Sequence, residues 1–226
     1  MAIISMANPK GGSGKTTCAL LLATEIARKG GSVTLIDADP ERWISKWGQL
    51  DDLPTGIKIV SDVTADDIID KTLDAQDQSQ FVIVDLEGTA NMSVVQAIGI
   101  SDLVLVPTQG STMDSQGGAK IIKLIRQQAR ALKREVPHAV VFTRTSAAIQ
   151  TRSLSHVREL MSNAGIPTLR TSIVERAAFR EIFAMGGDLA DLDHSQVSGV
   201  EKATVNAGQF AYEVLDVLKA QAQEVA

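Results

Sequence analysis

The chain holds one cysteine among 226 residues, Cys18, so no intrachain disulfide can form, and a reducing compartment is expected. Long hydrophobic runs are missing. The longest, such as Phe81-Val82-Ile83-Val84, are strand-length, far below the roughly 18 residues of a membrane span. No basic residue precedes the apolar positions of Met1-Ala2-Ile3-Ile4-Ser5, which argues against a secretion signal. The three histidines, His138, His156 and His194, have no metal-ligand spacing. Nor is there a Gly-x-Ser-x-Gly elbow or a Cys/His pairing of the kind acyl transfer uses. What remains is an ordinary core-forming composition, 44% hydrophobic and 22% charged, which excludes a disordered or fibrous chain. The length allows one large or two small domains. No repeat, low-complexity tract or linker divides it, so residues 1–226 are read as one domain.

The net charge of −5 hides an uneven distribution. Residues 120–180 carry twelve basic side chains against Glu135, Glu159 and Glu175, while both flanking segments are acidic. Such asymmetry suits a polyanion partner, and it equally suits a set of solvated helix faces.

Short aliphatic and β-branched runs at 2–7, 33–37, 57–60, 81–85, 103–107 and 139–143 read as strands, with a weaker one at 168–173. Most are continuous rather than alternating, as for strands buried on both faces of a parallel sheet. Helical patterns lie at 15–29, ending at Gly30-Gly31, and at 115–134, 153–164 and 200–223. The alternation predicts a doubly wound α/β fold. The Asp- and Gly-rich segment 186–199 reads as a surface loop. Trp43 and Trp47, four apart in a helix after Asp39, would share one face, for core or dimer packing.

The first strand runs into Asn8-Pro9-Lys10-Gly11-Gly12-Ser13-Gly14-Lys15-Thr16-Thr17 and then a helix. Glycines there let successive N–H groups converge on phosphate oxygens at a helix N-terminus; a lysine reaches the outer phosphates and a threonine hydroxyl holds Mg²⁺. The general phosphate-loop pattern fits at Gly14-Lys15-Thr16 but has Pro9 in place of its first glycine, and it carries an additional lysine, Lys10. A second segment, Asp37-Ala38-Asp39-Pro40, places two carboxylates at a strand end, where they can face a metal or cap the next helix.

These segments resemble the deviant Walker ATPases of the ParA/MinD group, most of all the short ParA-type (ParF-like) plasmid partition ATPases, over almost the whole chain. The resemblance implies a P-loop NTPase with a mostly parallel sheet flanked by helices, binding ATP and Mg²⁺. Lys10 would cross a nucleotide-sandwich homodimer to the partner's phosphates, and Lys15 would contact those of its own subunit. Gly11, Gly12, Ser13, Gly14, Thr16 and Thr17 would complete the phosphate cradle, with Thr16 on Mg²⁺. Asp39 would position the attacking water and Asp37 would support the metal's water shell. In Val82-Ile83-Val84-Asp85-Leu86-Glu87-Gly88-Thr89, Asp85 would hold Mg²⁺ through water and Gly88 would offer its N–H to the γ-phosphate. Relatives usually have a small residue or proline where Glu87 stands. Pro107 and Asp114 match a loop at the dimer interface, with Gly110 in place of a second proline, and Thr143 and Arg144 match the adenine pocket.

By the same resemblance the ATP-bound dimer would present Arg144, Arg152, Arg158, Arg170, Arg176 and Arg180 to nonspecific duplex DNA. MinD-like relatives end in a basic membrane helix. Here the last segment carries Lys202 and Lys219 against Glu201, Glu213, Asp216 and Glu224, so membrane targeting is not expected. The implied function is a slow, Mg-dependent ATPase for DNA segregation, cytoplasmic and nucleoid-associated, forming dimers or filaments. A ParB-like or adaptor protein would stimulate it. The alternative is a positioning or adaptor ATPase for a protein cargo or a DNA-transfer complex. An iron–sulfur reductase on this scaffold is disfavoured, because Cys18 sits on the phosphate-loop helix.

Overall fold

The computed structural model describes residues 1–89, 91–147 and 151–224. Six strands form one sheet: β1 (Ala2–Met6), β2 (Val33–Ala38), β3 (Ile57–Val60), β4 (Phe81–Leu86), β5 (Leu103–Gln109) and β6 (His138–Thr143). Their order is β3-β2-β4-β1-β5-β6, and every pair is parallel. Both faces of the sheet are covered, which is why the strands read as unbroken apolar runs. Along β1, Ile4 and Met6 enter one core cluster while Ile3 and the following Ala7 enter the other.

The helices divide accordingly. On one face lie α1 (Lys15–Arg28), α2 (Trp43–Trp47), α7 (Ala178–Met185) and α8 (Val200–Glu224). On the other lie α3 (Ile68–Gln78), α4 (Met92–Ile100), α5 (Thr112–Leu132) and α6 (Arg152–Asn163). Helix α1 is buried along almost its whole length, because α8 packs over it with Ala203, Ala207, Phe210 and Val214. The apolar stripe of α8 therefore serves the core. Among the described residues no helix is long and apolar enough to cross a membrane.

Three expectations need correction. Residues 168–173 form no strand but touch the β6 region through isolated bridges at Thr168 and Val174. The Leu169 and Ile173 amides donate to the Val140 and Phe142 carbonyls of β6, both at 2.8 Å. Between and beyond them side chains of α8 take the backbone: Glu213 accepts from the Arg170 and Thr171 amides at 2.7 and 2.8 Å, and Asn206 accepts from Val174 and donates to the Ser172 carbonyl. Trp43 and Trp47, four apart on α2, are not packed together: they differ in burial. Trp47 is buried and donates to the Gly187 carbonyl at 3.0 Å, whereas Trp43 is about half exposed with the Lys46 ammonium 4.7 Å from its ring.

The 186–199 segment is more than a surface loop. Asp188 and Asp193 side chains cap local turns, and Leu189, Leu192 and Val197 of the same segment point into the core. Helices α3, α4 and α7 were not expected. Helix α3 buries only Ile68, Thr72 and Ala75 among acidic residues, too narrow a stripe to read as helical periodicity. The buried loop leucines give a direct check. Leu192→Ala is expected to cost about 2–4 kcal/mol and to lower Tm by roughly 4–16 °C in thermal unfolding; a surface loop residue would change it by under about 0.5 kcal/mol.

Candidate nucleotide-binding site

The strands end their parallel run on one edge, where connections leave β1 for one side of the sheet and β5 for the other. Ligands of open α/β sheets bind in such a crevice. The loop from β1 to α1 occupies it. Gly14 caps α1 in the left-handed region at φ 96°, and a Cβ there would lie 3.1 Å from the Thr143 methyl. Glycine is therefore required twice over, for conformation and for space.

The loop is held from several parts of the chain. Thr143 at the end of β6 donates to the Ser13 carbonyl at 2.6 Å, and Gln109 at the end of β5 donates to the Gly12 carbonyl at 2.8 Å. Asn8 donates to the Pro107 carbonyl at 2.6 Å and accepts from the Lys10 amide at 2.9 Å. Gly117 of α5 lets the helix approach so closely that a Cβ would stand 2.9 Å from the Asn8 amide oxygen. Gly88 sits against the loop's start, where its Cβ would be 3.3 Å from the Gly11 nitrogen.

Inside this frame the expected residues converge. Lys15 is 5% exposed, and burial pushes its ammonium pKa down, opposed by the charges of Asp85, Asp39 and Glu87. Asp37 and Asp85 are register partners across β2 and β4, so two carboxylates stand side by side at the sheet's edge. Asp85 is fully buried, and neither of its oxygens has a hydrogen-bond partner. Burial pushes its pKa up to about 7; the nearby Thr16 hydroxyl and Lys15 charge oppose this, and Asp37 and Asp39 add to it. Asp37 gives one oxygen to Ser45 of α2, accepting from its hydroxyl and amide at 2.5 and 2.7 Å, and keeps the other buried and unpartnered. The Ser13 hydroxyl is likewise buried without a partner. Cys18, fully buried in α1, has its thiol pKa pushed up by burial and by Asp85, so it is inert packing.

Orphaned carboxylate oxygens beside a threonine hydroxyl, under a helix N-terminus and a buried lysine, fit a hydrated divalent cation with phosphates. Mg²⁺ takes one or two protein ligands and fills its octahedron with water and phosphate oxygens. That matches the described residues, among which no group of three or more His, Cys, Asp or Glu could hold a metal unaided.

Asp39 lies nearby, one oxygen accepting from the Glu41 amide at 2.9 Å. Glu87 accepts from Thr89 and Asn91, and Asn91 caps α4 through the Val94 amide at 3.0 Å, which ties down the connection after β4. Lys10 is exposed, with its backbone fixed through Asn8. Arg144 is exposed at φ 50° beside the loop, while Thr143 commits its hydroxyl to supporting the loop from beneath. The Asp114 side chain lies outside the described residues.

The basic cluster is not one surface. Arg158 is turned inward: its guanidinium stacks 4.7 Å from the Phe142 ring and donates to the Ser172 hydroxyl at 2.6 Å. Its pKa is lowered by burial, and as a DNA contact it is set aside. Arg152 and Arg170 are exposed, Arg180 is exposed and paired with Glu175, and Arg176 is half-buried. Ser45, Asn8, Gln109 and Asn91 were missed. Each acts through a partner set by folding; Asn8 and Gln109 lie inside the motif segments and Ser45 and Asn91 outside them.

The fold and site define a P-loop NTPase of the ParA/MinD group. More narrowly, the chain belongs to the VirC1 protein family, whose profile spans residues 1–205. It is 36% identical to Protein ParA of Rhizobium radiobacter over 219 residues, 96% of this chain and 98% of that protein. It is 24% identical over 242 residues to Maintenance of carboxysome distribution protein A of Synechococcus elongatus, covering 87% and 95%. A Borrelia burgdorferi B31 protein assigned to plasmid partition, solved with AMPPNP, superposes with a TM-score of 0.70 at 17% identity, covering 95% of this chain and 98% of that one.

The buried Asp85 has a consequence for stability. Its folded pKa, about 7, exceeds the ordinary 3.8, so the folded protein binds the extra proton and loses stability as pH rises between those values. Asp85→Asn is expected to stabilise the ligand-free protein by about 1–3 kcal/mol near pH 8, once the unpaired amide is counted, and by nothing near pH 4. Urea unfolding at the two pH values measures this.

Proposed function

We propose that the protein is an ATP-dependent, dimerising partition ATPase that binds nonspecific DNA in its Mg-ATP state and is reset by hydrolysis. The observation that carries this reading is the pair of buried carboxylates, Asp37 and Asp85, with unpartnered oxygens beside Lys15 beneath a glycine-rich helix N-terminus. Similarity to ParA and to the AMPPNP-bound Borrelia protein supports it.

In this reading the amides of residues 11–17 and the Lys15 ammonium bind the phosphates, and Thr16, Asp85 and Asp37 hold the metal and its waters. When bound, Mg²⁺ neutralises charge on the β- and γ-phosphate oxygens. Asp39 orients the attacking water; the water's oxygen bonds to the γ-phosphorus as the bond to the ADP oxygen breaks, and the water's proton leaves with the released phosphate, giving ADP and inorganic phosphate. Gly88 offers its N–H to the outer phosphate. Lys10, exposed at the loop's start, reaches across to a second copy's triphosphate. ATP then stabilises the dimer through that contact, and hydrolysis returns the population to monomer. Turnover is slow, because the site holds a water and forms no covalent intermediate. In this reading Arg144 borders the base, the protein is cytoplasmic and nucleoid-bound, and a ParB-like or adaptor protein stimulates hydrolysis.

Similarity to a carboxysome distribution protein supports a second reading, positioning of a protein cargo by the same cycle. What an ATP-locked Asp39→Ala protein retains in a pull-down, a DNA-bound partition complex or a protein cargo, separates the two.

Two outcomes are expected. Lys15→Ala abolishes binding of a fluorescent ATP analogue, whereas Lys10→Ala retains binding but gives no ATP-dependent dimer by light scattering; a normal Lys10→Ala dimer would refute its cross-subunit role. In DNA binding measured against salt, Arg152→Ala and Arg170→Ala each reduce the slope of log K against log salt by about 1. Arg158→Ala leaves the slope unchanged and lowers stability instead.

A further inference from the structure

We infer that Ser45 is a positioning residue for the metal site: by holding one oxygen of Asp37 it aims the other at the cation. This rests on the nucleotide-site reading above and names a residue that reading leaves unused.

The geometry is specific. Ser45 lies eight residues after Asp37, on α2, and addresses a single carboxylate oxygen twice, from its hydroxyl at 2.5 Å and its amide at 2.7 Å. The second oxygen is buried and has no partner. A carboxylate so held has lost its freedom to rotate, and it stands beside Asp85, its register partner on the adjacent strand. Outer hydrogen bonds of this kind fix the orientation of metal-shell ligands, and their loss costs about 10–100-fold in metal affinity.

The helix that carries Ser45 is itself anchored. Ile44 is fully buried, and Trp47 ties its end to the Gly187 carbonyl at 3.0 Å. Its start follows directly from the Asp39 turn, where the Arg42 amide donates to the Asp39 carbonyl at 2.9 Å. Asp37 and Asp39 are thereby set by one short element, the former through Ser45 and the latter through the turn.

The competing account is that Asp37 merely caps α2, in which case Ser45 contributes to stability and to nothing else. The two accounts separate in a titration of Mg²⁺ against the full chain with a fixed, non-hydrolysable ATP analogue, read as the shift in Tm, with an EDTA arm for metal-free nucleotide binding. Ser45→Ala is expected to raise the Mg²⁺ midpoint about tenfold or more while leaving analogue binding in EDTA within about twofold. Ser45→Thr, which keeps the hydroxyl, restores the wild-type midpoint. An Mg²⁺ midpoint for Ser45→Ala within about twofold of wild type, with only a lower ligand-free Tm, would overturn the inference and leave capping as the role. Wild-type protein that shows no Mg²⁺-dependent shift would overturn the nucleotide-site reading itself. Should Ser45→Ala fail to fold, Ser45→Cys, with a poorer hydrogen-bond donor of similar size, is expected to raise the midpoint in between; an unchanged midpoint there overturns the inference equally.

Discussion

Two buried carboxylates set side by side, with one buried ammonium nearby, are the constraint around which the molecule is organised. Parallel pairing of β2 with β4 makes Asp37 and Asp85 neighbours at the same level of the sheet. Burial removes the water that would otherwise solvate them, and Lys15 supplies a single positive charge in return. An unpaired buried charge is costly, so this arrangement is stable in full only when a further cation joins it. The protein holds at its centre a demand for a ligand.

The rest of the fold maintains that demand. Sheet order puts the phosphate loop between β4 and β5, and bonds from Gln109, Thr143 and Asn8 fix the loop from the opposite side of the crevice to the carboxylates. Close approaches at Gly14, Gly88 and Gly117 keep bulk out of the loop's flanks. Helix α8 and the leucines of the 186–199 segment cover the outer face of α1 and the sheet, so the helix that presents its N-terminus to the site is buried nearly throughout. Lys10, Arg152 and Arg170 are exposed, as the proposed reading requires of them.

Much of this was legible in the chain. The strands were readable because burial on both faces demands continuous β-branched and aliphatic runs, and the loop because its glycines, lysines and threonines are dense and contiguous. Asp37 and Asp85 were found as strand-end acids. What could not be read were interactions that exist only after distant segments meet. Ser45, Gln109 and Asn91 are unremarkable polar residues until folding brings Asp37, Gly12 and Glu87 to them. The apparent strand at 168–173 keeps backbone bonds to β6 at Leu169 and Ile173 but is interrupted between them, where Glu213 of α8, some 40 residues later, accepts from the Arg170 and Thr171 amides. Arg158 looked like a surface charge, yet the Phe142 ring draws it inward, a pairing that no local pattern announces.

The demand for a cation can be measured at its source. A carbon-13 NMR titration that follows the Asp85 carboxyl in the nucleotide-free protein is expected to show a midpoint about 7. Adding Mg²⁺ with a non-hydrolysable ATP analogue should then hold the group ionised across that range. A carboxyl that titrates at the ordinary carboxylate value of 3.8, and that responds to neither metal nor nucleotide, would contradict the claim that this buried pair waits for a metal.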